Sequence, residues 1–182
     1  MKIGAVLLLL SAGLVAAQKP RPVVARADAG QIAVQQASVI RASIQTVEKK
    51  IDVKLFADPT DLMGTTRGLY LPGFGVVLTA EVALVKLGGP SPFHQTFTNE
   101  ERVRARARKT EALPKFKEMI KAALIAAADD LGSVPANEKL VFAVNLFYWN
   151  WEDRTGLPSQ IVLQGTRQEL MARPAAIQVQ EF

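Results

Sequence analysis

The hydrophobic residues of this chain follow first a helical and then an alternating pattern, and each pattern predicts a different element. From residue 31 to about residue 50 an apolar side chain recurs every three or four positions, as one face of a helix requires. These positions are Ile32, Ala33, Ala37, Ile40, Ile44, Val47 and Ile51. Polar residues fill the intervening positions, so the segment is predicted to be an amphipathic helix.

The clearest β signal lies between Arg67 and Val85, where β-branched and aromatic residues flank the pair Pro72-Gly73. Proline and glycine suit the two central positions of a type II turn. The sequence therefore predicts a hairpin with strands at 68–71 and 74–85. Two further strands are predicted at 141–151 and 159–164, since both segments are rich in strand-forming residues and are bounded by turn residues.

Helical signals return between the two pairs of strands. Thr98 or Asn99 can cap a helix, and the two glutamates that follow lie where the helix dipole favours acids. We predict that this helix ends near Thr110 and that Pro114 begins another, which ends at Gly132, because proline is tolerated in a first turn. The order α-β-β-α-α-β-β indicates an α+β domain, an antiparallel sheet of about four strands with helices packed on one face.

Residues 1–17 have the pattern of an export signal. Lys2 supplies a positive start, an apolar run extends to Val15, and small residues precede Gln18. The apolar run is too short to span a bilayer comfortably, so we expect a cleaved signal peptide and no transmembrane anchor. The mature protein is then secreted or periplasmic.

The rest of the chain predicts a single domain with two loose ends. Residues 18–30 mix proline, arginine and glycine and are interpreted as a flexible leader. Residues 31–173 hold all the predicted elements, and residues 174–182 are interpreted as a frayed tail. The chain has no cysteine, so an exported domain of this length has to be stabilised by its core rather than by disulfides.

Composition excludes several functions. A single histidine, His94, excludes multi-histidine zinc sites, and the lack of cysteine excludes thiol nucleophiles. Gly73-Phe74-Gly75 precedes a predicted strand instead of a helix, so we predict no nucleotide cofactor. The formal net charge of +5 favours an anionic envelope surface or cell-wall polymer as partner, and nucleic acid is not expected outside the cytoplasm.

The densest positive charge lies in the first predicted helix of the central segment. Its arginines are Arg102, Arg104, Arg106 and Arg108. On a helix, Arg102 lies near Arg106 and Arg104 near Arg108, so like charges are crowded at some cost to the helix. An anionic partner would offset this repulsion, whereas a solvated helix face is the simpler interpretation.

Both tryptophans, Trp149 and Trp151, lie in the segment predicted as the third strand. On a strand they project from one face together with Phe147, and the opposite face is apolar as well. One of the two faces therefore needs a cover. Burial of the rings is the simpler interpretation, and a platform on which sugars stack is the functional one.

A second set of residues favours an enzyme. Asp58, Asp61 and Glu81 are carboxylates that would divide acid and base roles or hold a hard cation if they met, and His94 is the one available imidazole. Their spacing matches no EF-hand loop, and we predict no defined metal site. Turn formation also explains the aspartates, and ordinary packing explains the histidine, so catalysis is left open.

Three segments together resemble an uncharacterised group of exported bacterial proteins. They are RGLYLPGFGVV at 67–77, the arginine-rich helix, and VFAVNLFY at 141–148. The resemblance implies a bacterial origin and no particular activity. The leading hypothesis is a non-enzymatic exported protein that binds an anionic or glycan partner at the envelope; the alternative is a periplasmic hydrolase or metal-dependent enzyme that uses the carboxylates and His94.

Overall fold

The structure is a computed structural model that describes residues 24–57, 59–92, 96–173 and 176–182, with side chains from residue 35 onward. Within these ranges the chain forms three helices and six strands. The helices are α1 (Val24–Leu55), α2 (Asn99–Asp130) and α3 (Arg167–Ala172). The strands are β1 (Asp61–Leu62), β2 (Arg67–Leu71), β3 (Gly75–Ala83), β4 (Lys139–Leu146), β5 (Gln160–Thr166) and β6 (Gln178–Glu181).

All six strands belong to one mixed sheet. Its order is β1-β3-β4-β5-β6, and β2 pairs with the same edge of β3 as β1 does. β3 and β4 are parallel and every other pair is antiparallel. The prediction of an antiparallel sheet of about four strands is therefore wrong, because α2 carries the chain back across the sheet before β4 begins, as a parallel pair requires.

The core lies on one face of this sheet. Along β3 and β4 buried residues alternate with more exposed ones, as the two-residue period of a strand requires. The buried residues are Val76, Leu78, Ala80, Val82, Leu140, Phe142, Val144 and Leu146. They form one cluster with the apolar stripes of α1 and α2, so both long helices cover the same face, and the α+β class is as predicted.

The predicted hairpin is confirmed. β2 and β3 pair in antiparallel register, from Arg67 opposite Thr79 to Leu71 opposite Gly75. A hydrogen bond from the Phe74 N–H to the Leu71 carbonyl at 3.0 Å closes the turn between them. Gly73 has a φ of +80°, which the third position of a type II turn requires.

The prediction that Pro114 begins a new helix is wrong. α2 runs without interruption from Asn99 to Asp130, and Pro114 lies inside it. Proline costs a helix a hydrogen bond and introduces a clash with the preceding turn. Burial of Leu113 and Phe116 on either side of it compensates for that cost, since both belong to the core.

The strand predicted to reach Trp151 ends at Leu146. Both neighbours of β4 stop there: β3 pairs with it as far as Leu146 and β5 as far as Asn145. Without ladder partners, the aromatic residues that follow leave the sheet. By contrast, the strand predicted at 159–164 is confirmed as β5.

Both chain ends differ from the predicted leader and tail. α1 begins at Val24, within the segment interpreted as flexible, because no proline interrupts the alanine-rich stretch between Pro22 and Pro59. Residues 178–181 form β6 instead of a frayed tail, and Val179 packs against the core. The predicted signal peptide, residues 1–17, lies outside the described residues. None of the described helices combines the length and apolar character needed to cross a membrane.

Candidate functional site

The candidate site lies beyond the ends of β3 and β4. Because these two strands are parallel, the loops that follow them leave the sheet at the same edge. The loop after β3 leads to the first turn of α2, and the loop after β4 packs against the third turn of the same helix through Lys109 and Glu152. Crevices at the carboxyl ends of parallel strands are common ligand sites, so this edge is where a site is expected.

A capping box fixes the start of α2. The Thr98 hydroxyl accepts a hydrogen bond from the Glu101 N–H at 3.2 Å, and the Glu101 carboxylate accepts one from the Thr98 N–H at 2.8 Å. This reciprocal pair satisfies two backbone donors that the first turn would otherwise leave without partners. The helix therefore presents its first three turns in a defined register.

Two of the four predicted arginines share one face of α2. Arg104 and Arg108 are four residues apart and both line a cavity of about 410 Å³. Both side chains are exposed, and neither forms a salt bridge with a carboxylate in the part of the chain that the structure describes. Arg104 donates one hydrogen bond, from Nε to the carbonyl of Glu100 at 3.4 Å. The cavity is thus lined by two guanidinium groups that form no salt bridge with the described carboxylates.

A stacked aromatic pair also lines this cavity. The rings of Phe97 and Trp151 are stacked, with centroids 3.9 Å apart and planes inclined by 6°. The indole Nε1 of Trp151 is buried and has no hydrogen-bond acceptor among the described residues. Gly88 and Gly89, in the loop after β3, complete the lining.

A buried ion pair holds the loop after β4 on α2. Lys109 Nζ lies 2.5 Å from Glu152 Oε2, and the two side chains are only 1% and 2% exposed. Lys109 Nζ also donates to the Phe147 carbonyl at 3.3 Å and lies 4.4 Å from the centroid of the Tyr148 ring. The other oxygen of Glu152 accepts a hydrogen bond from the Trp149 N–H at 2.9 Å. Trp151 is therefore carried on a loop that is anchored at the residue next to it.

The same ion pair affects the ionisation of its neighbours. Burial lowers the pKa of Lys109, and the hydrogen bond and charge of Glu152 oppose that shift. Burial raises the pKa of Tyr148 to about 12, and the negative charge of Glu152 adds to the rise. The Tyr148 hydroxyl remains a hydrogen-bond donor at neutral pH and donates to the Pro158 carbonyl at 2.8 Å.

The remaining two arginines lie away from the cavity. Arg106 forms a half-exposed ion pair with Asp153 at 3.2 Å, on the other side of Lys109. Hydrogen bonds from Thr155 lower the pKa of Asp153, with a smaller contribution from Arg106. Arg102 is exposed and does not line the cavity. The predicted arginine cluster is thus divided: two members face the cavity, one holds a loop and one faces solvent.

Trp149 is separated from Trp151. Its ring packs on the loop after β3, where a Cβ added to Gly89 would come within 2.7 Å of it, and it meets the Phe147 ring edge-on at 5.0 Å between centroids. The prediction that the two tryptophans share one strand face fails because β4 ends before either of them. Trp149 is a packing residue, and only Trp151 lines the cavity.

The carboxylates proposed for an enzyme are only partly described. Asp58 and His94 lie outside the described residues. Asp61 lines a small cavity of about 50 Å³ together with Lys109 and Glu152, whereas Glu81 is exposed on β3 and does not line it. Among the described residues no group of three or more histidine, cysteine or acidic side chains is placed to hold a metal ion.

Sequence analysis missed Phe97, the two glycines and the Lys109–Glu152 pair. Only Lys109 could have been recognised from the sequence. It lies on the buried stripe of the helix between Ala105 and Leu113, where a charged residue requires a buried partner. No protein-family model, curated protein sequence or solved structure matches this chain. The resemblance to exported bacterial proteins stays a prediction.

Proposed function

We propose that the protein is exported and binds an anionic partner at the cell envelope through the cavity lined by Arg104, Arg108 and Trp151. The observation that carries the proposal is a pair of exposed guanidinium groups, neither in a salt bridge among the described residues, that line one cavity with a stacked aromatic pair. Guanidinium is charged at every physiological pH and matches carboxylate and phosphate oxygens with pairs of N–H donors. The export pattern of residues 1–17 supports an envelope location.

The electrostatics of α2 also support an anionic partner. Arg104 and Arg108 are four residues apart, and like charges at this spacing destabilise a helix by a few tenths of a kcal/mol. A bound anion would remove that repulsion and replace it with two attractions. The attraction of both arginines to one anion would offset their mutual repulsion.

The groups around the cavity favour binding over catalysis. Glu101 is its one acidic group among the described residues, and its carboxylate already accepts the N–H of Thr98 in the capping box. A general base has to be available to accept a proton from substrate. The arginines and aromatic rings provide attachment and orientation instead.

Co-sedimentation with isolated cell walls tests this proposal. Arg104→Ala combined with Arg108→Ala should weaken retention by about 1 kcal/mol for each lost charge, or roughly 30-fold in total. Arg102→Ala, on the same helix but outside the cavity, is the matched control and should be retained like the original protein. Raising the salt concentration to physiological strength should weaken binding of the original protein, because screening acts over about 8–10 Å.

Equal retention of the original protein and the double variant would overturn the proposal, and so would no retention of either. Equal losses from Arg102→Ala and from Arg108→Ala would show that total charge matters and the cavity does not.

A further inference from the structure

We infer that the sheet face opposite the two long helices is a dimer interface, on which a second copy of this chain packs with its β3 antiparallel to the first β3. The face lacks a cover, its charges lie at opposite ends, and its area is sufficient for a dimer. It shares no residue with the lining of the arginine cavity, so the dimer does not depend on the proposed function.

This face of the sheet has no cover among the described residues. The helices pack on the other face, and the strand residues of the core cluster all point toward them. The side chains that point the opposite way are half-buried or exposed. They include Val77, Thr79, Glu81, Lys139, Val141, Ala143, Asn145, Gln160, Val162 and Gln164. Two such faces can pack on each other about 10 Å apart, as in a β-sandwich.

Apolar side chains lie in the middle of this uncovered face. The strand register places Val77 opposite Val141 and Ala143 opposite Val162. Leu69 extends the first of these rows onto β2 and is 59% exposed. Most of the side chains around this centre are uncharged amides and hydroxyls. An apolar centre with a polar rim is the usual composition of a protein interface.

The opposite charges of Lys139 and Glu81 lie at opposite ends of the face. Lys139 pairs with Gly75 at the start of β3, and Glu81 lies six positions further along the same strand. At about 3.3 Å per residue the two side chains start roughly 20 Å apart, too far to pair within one chain. Both are exposed, and neither forms a salt bridge within the described part of the chain.

A twofold axis that runs across the strands brings these opposite charges together. It reverses the strand direction in the second copy, so Lys139 of each copy meets the end of the face that carries the other copy's Glu81. An axis along the strands would instead bring like charges to the same end. The distribution of charge therefore favours the antiparallel arrangement.

The net charge of the face disfavours a membrane or an anionic polymer as the occupant. On β2, β3, β4 and β5 the uncovered face carries one further charged side chain, Arg67. Two positive groups and one negative group leave a net charge of +1, which attracts an anionic surface only weakly. A second copy, by contrast, supplies a matching charge at each end.

The area of the face is sufficient for a specific dimer. The sheet is five strands wide, and β3, β4 and β5 have nine, eight and seven residues. With strands about 4.8 Å apart and about 3.3 Å per residue, the face covers roughly 600 Å² in each copy. Two copies together bury about 1,200 Å², which exceeds the approximately 1,000 Å² expected of a biological interface.

Sedimentation equilibrium of the purified protein tests the inference. An interface of this size predicts a dimer with a dissociation constant in the micromolar range, so the fraction of dimer should rise between about 1 and 100 μM protein. A protein that stays monomeric over this range would overturn the inference, whatever partner the arginine cavity binds.

A matched pair of valine variants locates the interface. Val141→Lys places a charge at the centre of the face and should weaken the dimer at least a hundredfold, because each dimer would bury two unpaired ammonium groups. Val53→Lys makes the same change on α1, where the side chain is 76% exposed, and should leave the dimer unchanged. Urea unfolding confirms that both variants are folded. A dimer that tolerates Val141→Lys would place its interface elsewhere and overturn the inference.

Exchange of the two charges tests the antiparallel arrangement. Lys139→Glu and Glu81→Lys should each weaken the dimer about tenfold, because each replaces two attractive contacts per dimer with two repulsive ones. The two substitutions together restore the contacts with exchanged signs and should recover most of the affinity. Additive losses in the double variant would contradict the antiparallel arrangement. Monomeric protein that binds phosphatidylglycerol vesicles, and loses this binding with Val141→Lys, would assign the face to a membrane and overturn the dimer.

Discussion

Lys109 is the residue on which the candidate site most depends. Its ammonium group reaches three partners on the loop after β4: the Glu152 carboxylate, the Phe147 carbonyl and the Tyr148 ring. Replacing such a buried pair by apolar residues often costs little, but removing one partner leaves the other charge buried and uncompensated. The pair therefore specifies where the loop lies more than it adds to overall stability.

Lys109→Met is expected to lower the free energy of unfolding by about 3–5 kcal/mol, because it leaves Glu152 without its cation. Adding Glu152→Gln should recover a large part of this loss, since an amide oxygen can still accept the Trp149 N–H. Urea unfolding of the two single variants and the double variant measures the coupling. Additive effects would show that the two side chains do not interact.

The raised pKa of Tyr148 leads us to expect a loss of stability at high pH. Its pKa is about 12 in the folded protein against 10.0 for an unperturbed phenol, so the folded state holds this proton more tightly. The resulting stabilisation is complete below pH 10 and is lost as the pH rises from 10 to 12. Lys109 has the opposite shift, but it is present in both proteins of the comparison below and cancels.

Tyr148→Phe also removes the hydrogen bond to the Pro158 carbonyl, so it should lower the free energy of unfolding by about 1 kcal/mol near neutral pH. The stability advantage of the original protein should then fall and reverse as the pH approaches 12, since only the original protein has a phenol proton to lose. Urea unfolding near pH 8 and near pH 11 checks this. A constant difference would contradict a raised Tyr148 pKa.

At the scale of elements, local patterns could be predicted and pairings could not. The hairpin at Gly73 and the buried stripe of α1 follow from spacing and turn chemistry within short segments. The parallel pairing of β3 with β4 depends on where α2 returns the chain, and a strand has the same residue pattern in either orientation. The end of β4 at Leu146 could not be predicted either, because it depends on strands that are distant in sequence.

The site was predictable to the same limited extent. Charge density alone identified Arg104 and Arg108, and aromatic content identified Trp151. Their meeting with Phe97 and Gly88 depends on the parallel edge, where loops far apart in sequence converge. Arg106 anchors a loop and Trp149 packs against another, and both roles depend on that same convergence.

Pro114 lowers the stability of α2, because it lies inside the helix. Pro114→Ala is expected to raise the free energy of unfolding by about 1–3 kcal/mol, because it restores a backbone N–H and the exposed proline ring contributes nothing to the core. Lys115→Ala, at the next exposed position, should change stability little. Chemical denaturation measures both. A less stable Pro114→Ala protein would show that the packing of α2 requires the proline.

At the scale of the whole molecule, one face of the sheet is covered by α1 and α2, and the candidate cavity lies at the edge where β3 and β4 end. The core determines the positions of two elements that line the cavity: α2 provides the arginines, and the loop after β4 provides Trp151. Stability and the position of Trp151 are therefore linked at Lys109, which belongs to the buried side of α2 and anchors the loop.

The central claim is that the arginines and Trp151 form a single binding site, and Trp151 can report on this directly. The chain has two tryptophans, so Trp149→Phe leaves Trp151 as the only indole while retaining an aromatic ring against Phe147. Its fluorescence is then measured as soluble cell-wall fragments are added. We expect a saturable change in Trp151 emission that weakens with salt and is absent when Arg104→Ala and Arg108→Ala are added. Unchanged emission from a protein that cell walls still retain would show that the partner binds elsewhere and would contradict the claim.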